Sequence, residues 1–66
     1  MGRNFFDAIE DLLALVWSYV DEGNDLYDIL ESEWMKKEVD RISKRYDTTK
    51  AMTNKIINER IQSAMW

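Results

Sequence analysis

From Phe5 to Val20 the apolar residues fall on two neighbouring stripes, Phe6, Ile9, Leu13, Val16, Trp17 and Val20 on one and Phe5, Leu12, Leu15 and Tyr19 on the other. At about 100° per residue this is a helical pattern, and the two stripes together sweep roughly 200° of the circumference. Asp7, Glu10, Asp11, Ser18, Asp21 and Glu22 fill the remainder. Asn4 suits an N-cap with Asp7 at the third helical position, and Gly23 suits the left-handed position after a helix end, so the predicted helix covers about 5–22. Such an arc is wider than one packing neighbour covers. Either the helix is sandwiched between the other helices, the expected arrangement in a small bundle, or part of the arc is an interface.

Asp25 is placed to cap a second helix, over about 26–33, in which Leu26, Ile29, Leu30 and Trp34 share a face. The next apolar set, Met35, Val39, Ile42 and Tyr46, lies nearly opposite when the same step is continued. A straight helix cannot bury both faces in one core. The phase slip therefore predicts a break near Ser32–Met35, with Ser32 as the cap of a separate helix over 35–46; the alternative is one long helix whose two ends pack on different partners. Asp47 to Thr49 interrupt the chain again, and a last helix over 49–64 turns Thr53, Ile57, Ile61 and Ala64 inward, with Ile56 and Arg60 at its edge. With no Pro, two Gly and no alternating β-branched pattern, the expected fold is all-α. It is a small bundle of three to four short helices in a single helical domain, 1–66.

Sixty-six residues bury a smaller share of their surface than a domain of ordinary size. Small domains usually add a disulfide, a metal or a partner chain; with no Cys and no His, partner binding is the support left, and a homodimer is plausible. An apolar fraction of 45% with eight aromatic residues is that of a folding chain. No apolar run reaches the eighteen or so residues of a membrane span, and acids stand early in "MGRNFFDAIEDLL", so no membrane association and a cytoplasmic location are expected. Lipidation at "MGRNFF" is not expected, because Phe6 stands where a myristoylation motif carries Ser or Thr.

Net charge is −4, but it is divided unevenly: residues 1–34 carry −8 and residues 35–66 carry +4. Either the halves attract each other, or one of them faces a charged partner. Asp21 and Glu22 fall in the last turn of the first helix, where the helix dipole disfavours anions by some tenths of a kcal/mol. Lys36, Lys37 or Arg41 folding back over them is one explanation, and retention for binding is the other. "DEGNDLYD" is not a calcium loop, since the twelfth position from Asp21 is Ser32 instead of a closing Glu.

Without His or Cys the commonest general base, the thiolate nucleophile and the usual zinc ligands are missing. The serines match no nucleophile motif, two glycines are too few for a phosphate loop, and the carboxylates read as solvated helix faces. Neither an enzyme nor a cofactor is expected.

Residues 42–56, "ISKRYDTTKAMTNKI", resemble a DNA-reading helix-turn-helix in outline. Ser43 is the small residue after Ile42, Tyr46 closes the first helix and Ile56 locks the second. Asp47 takes the usual Gly place, and Thr48 and Thr53 stand where branched apolar residues usually pack the turn. On this alternative reading the DNA-binding residues are Lys50, Asn54, Lys55 and Asn58, with Lys36, Lys37, Lys44 and Arg45 holding the backbone. Glu59 on the same face and the acidity of the whole chain oppose it.

The leading expectation is a small non-enzymatic protein-binding module, a regulator or inhibitor of a larger protein, of the kind a phage or mobile element carries as an accessory. Its partner-binding residues are Asp21, Glu22, Asp25, Tyr27, Trp34 and Trp66, drawn from the acidic stretch and the surplus aromatics. In a variant of this reading Asp7, Asp11, Asp21, Glu22, Asp25 and Asp28 imitate a row of phosphates.

Overall fold

Asn4 begins the first helix by the reciprocal bonds of a capping box. In the computed structural model, which describes residues 4–65, its Oδ1 accepts the Asp7 N–H at 2.9 Å and the Asp7 carboxylate accepts the Asn4 N–H at 3.5 Å. Helix α1 (Phe5–Asp21) ends in a Schellman motif. The Gly23 N–H donates to the Val20 carbonyl at 2.9 Å and the Asn24 N–H to the Tyr19 carbonyl at 3.1 Å. Gly23 has φ 105°, a conformation costly for a residue with a Cβ.

Asp25 then caps α2 (Leu26–Glu31), its carboxylate accepting the Tyr27 N–H at 2.8 Å. One residue, Ser32, separates α2 from α3 (Glu33–Arg45). Extended at φ −68° and ψ 156°, it closes the first helix and opens the second. Its hydroxyl donates to the Ile29 carbonyl at 2.6 Å and accepts the Met35 N–H at 3.2 Å. This is the break the phase slip requires. By re-aiming the chain at Ser32, the fold sends Ile29 of α2 and Met35, Val39 and Ile42 of α3 into the same core.

Helix α3 ends in a second Schellman motif, with the Thr48 N–H donating to the Ser43 carbonyl at 2.9 Å and Asp47, at φ 54°, in the left-handed position. Helix α4 (Lys50–Met65) follows, its first turn satisfied by the Thr49 hydroxyl, which accepts the Met52 N–H at 3.1 Å.

The core is assembled from Ile9, Leu12, Leu13 and Val16 of α1, Ile29 of α2, Met35, Val39 and Ile42 of α3, and Ile57 and Ile61 of α4. Two hydroxyls join it. Ser43 and Thr53 are both buried, their oxygens 2.9 Å apart across α3 and α4, and each also reaches a carbonyl one turn back on its own helix. The pair carries two protons for three contacts, and no buried polar side-chain atom among the described residues lacks a partner.

Two sequence expectations change here. The buried residues of α1 occupy only about 100° of its circumference, and the edges of the arc stay open: Phe6, Leu15 and Tyr19 are 48%, 51% and 39% exposed. The sandwich is therefore partial. Ala64, expected inside, is exposed, because the last turn of α4 runs past Ile61, where its contact with the core stops. Among the described residues no helix is long and apolar enough to cross a membrane.

Candidate protein-interaction surface

The end of α1, the start of α2 and the start of α3 meet around a shallow groove. Tyr19 and Trp34 wall it, their rings edge to face with centroids 5.4 Å apart. Ile29 and Ser32 line it between α2 and α3, and Glu22, Asp25 and Asp28 bring three carboxylates to it. Each is positioned by a local device. Tyr19 and Glu22 are fixed by the Schellman motif, whose Asn24 also donates its side-chain amide to the Tyr19 carbonyl at 2.9 Å. The Asp25 cap orients the first turn of α2, which holds Asp28, and the Ser32 cap orients Trp34 one residue into α3.

Three of the six partner-binding residues expected from sequence, Glu22, Asp25 and Trp34, thus share one groove. Asp21 is exposed beside it at the end of α1, and Tyr27, 67% exposed, stands on α2 outside the groove lining. Trp66 lies outside the described residues. In the sequence pattern Tyr19 belongs to the apolar arc, and its place one turn before the Gly23 stop is the signal that it borders the acidic stretch.

The charge pattern around the groove differs from that of the rest of the chain. Asp21, Glu22, Asp25, Asp28 and Glu31 form no ion pair with any described residue, although all are exposed. Of the cations expected to fold back over Asp21 and Glu22, Lys36 and Arg41 are occupied elsewhere, and Lys37 is exposed and forms no ion pair with either acid. Lys36 pairs with Glu33 at 3.7 Å, and Arg41 pairs with Glu38. From Asn4 to Met35 the chain has no Lys or Arg at all.

On the other half most cations are held. Asp40 receives Lys44 at 3.0 Å and Lys50 at 3.3 Å, and hydrogen bonds from these two ammonium groups, Lys44 first, hold its carboxyl below the ordinary Asp value. Arg60 reaches Glu10 on α1 at 3.0 Å and also lies over the Phe6 ring, and Arg45 lies over Tyr46.

Of the residues expected to read DNA, Lys50 is therefore tied to α3 through Asp40, while Asn54 lines a depression between α3 and α4 with Met35, Lys36 and Val39. Lys55 and Asn58 are exposed on α4, as is Glu59 beside them. The turn itself has one trait of the motif: Asp47 takes the left-handed conformation that a Gly usually supplies. Thr53, set where the motif has a branched apolar residue, is buried through its bond to Ser43.

Among the described residues no group of three or more acidic side chains converges as a metal-binding set. The arrangement offers carboxylates, aromatic edges and open apolar surface, a chemistry of binding. No protein-family model, curated protein or solved structure matches the chain.

Proposed function

We propose that the chain is a small non-enzymatic protein-binding module that regulates or inhibits a larger protein by covering part of its surface. The observation that carries this reading is the coincidence, at one end of the bundle, of accessible aromatic rings with carboxylates that pair with no described cation. Asp21 and Glu22 stand at the unfavourable end of the α1 dipole with no described cation to compensate them. Tyr27 is exposed in the first turn of α2, an amphipathic ring of the kind that anchors interfaces.

The test is to use the tagged chain as bait in lysate of its host and identify what is retained. One protein in stoichiometric amount is expected, and Tyr27→Ala, which removes no core contact, should weaken its retention at least tenfold, about 1.4 kcal/mol, with helical content unchanged. Retention of nothing, or retention indifferent to Tyr27→Ala and to the groove variants below, defeats the reading.

The left-handed Asp47 favours a second reading, a DNA-binding helix-turn-helix regulator using Lys50, Asn54, Lys55 and Asn58. It requires duplex binding with a steep salt dependence that Lys55→Glu abolishes. A duplex that stays free at low salt excludes it.

A further inference from the structure

We infer that the groove beside the Tyr19–Trp34 ring pair receives an arginine-bearing segment of the partner protein. This inference rests on the module reading and specifies the chemistry of what that module meets.

A guanidinium is planar, weakly hydrated and forked. It stacks on aromatic rings and donates to carboxylates in the same pose, whereas an ammonium is a compact, strongly hydrated charge. The groove supplies both halves of that recognition: an aromatic side made of the touching Tyr19 and Trp34 rings, and acidic residues Glu22 and Asp28, with Asp25 beside them engaged as the cap of α2. Charge complementarity sets the sign of the occupant. None of these carboxylates is paired with a described cation, and no basic residue from Asn4 to Met35 competes for them.

A second copy of this chain is a poor occupant, because its described arginines are already engaged: Arg41 with Glu38, Arg60 with Glu10 and Phe6, and Arg45 over Tyr46. Nucleic acid and anionic lipid carry the wrong charge for the groove. A divalent cation would leave the rings without a role.

The probe is a terminally blocked octapeptide of alternating Arg and Gly, titrated at 150 mM salt into the intact chain and followed by amide and indole resonances. Lys-Gly and Glu-Gly peptides serve as comparisons. Saturable shifts at the Trp34 indole and the Gly23 and Asn24 amides are expected with the Arg peptide, weaker ones with the Lys peptide and none with the Glu peptide. Glu22→Gln with Asp28→Asn, both exposed positions, should weaken Arg-peptide binding at least tenfold without loss of helix; Trp34→Phe should do so more mildly, by removing the larger ring.

Equal response to Arg and Lys peptides, or shifts spread evenly along Asp7, Glu10 and Asp11, would reduce the effect to general charge attraction and overturn the inference. The same double variant in the host pull-down separates the two readings. If a Tyr27-sensitive partner is still retained by it, the module stands and the groove assignment falls. If the groove binds the Arg peptide while the bait retains nothing, the groove stands and the module reading falls.

Discussion

At Asp47 the backbone turns left-handed, φ 54°, to complete the Schellman motif that ends α3. An Asp tolerates this region better than most residues, but its Cβ is still penalised where Gly pays nothing. Asp47→Gly should therefore raise stability by about 0.5–1 kcal/mol, read as a higher urea midpoint at unchanged slope. A loss of stability would mean that the Asp47 carboxylate contributes more than its backbone costs. A few residues on, Thr53 offers a second test. Thr53→Val keeps the shape, removes one proton and leaves the Ser43 hydroxyl to serve the Val39 carbonyl alone at 2.7 Å. The expected change is within about 1 kcal/mol, whereas Ile57→Ala, which opens a cavity beside it at a position 2% exposed, should cost about 2–5 kcal/mol. For a domain of this size that is a large share of the total.

Among the elements, α2 and α3 are defined by one side chain. Ser32→Ala removes both the bond that receives the Met35 N–H and the one that reaches the Ile29 carbonyl, and should cost about 1 kcal/mol by denaturant titration. The break it makes was readable without coordinates, because helical periodicity is rigid and the apolar phase jumps between Trp34 and Met35. Asn4, Asp25 and Gly23 were readable for the same reason, each being a residue type that a helix end demands. Other features were not. The burial of Ser43 and Thr53 depends on two hydroxyls on different helices meeting, which no local pattern encodes. Ala64 is in phase with Ile57 and Ile61, and only the reach of the neighbouring helices decides that it stays outside. The groove was half legible: composition marked Glu22, Asp25 and Trp34, but Tyr19 enters it because α1 stops where it does, and Ile29 because Ser32 breaks α2 from α3.

On the scale of the molecule, ion pairing is concentrated on the half that contains Asp40. Its carboxyl titrates below the ordinary Asp value because Lys44, then Lys50, donate to it. A folded-state value below the unfolded one means that the stabilisation is complete above the unfolded value and drains away as pH falls through the folded one. The stability gap between the wild type and Asp40→Asn should accordingly be present at pH 6 and close below about pH 4, and added salt should narrow it at pH 6. A gap that persists in acid would assign the effect to hydrogen bonding of the neutral side chain.

The groove, by contrast, takes its shape from three helices, and the two that form its mouth are joined through Ser32 alone. Two torsions, φ −68° and ψ 156°, thus set the aperture between Asp28 on α2 and Trp34 on α3. Six residues are too few for α2 to persist by itself. Fraying of that short segment would erase the recess while Ile9, Val16, Ile42 and Ile57 still hold the remaining helices together, so binding competence is lost under milder denaturation than the fold itself.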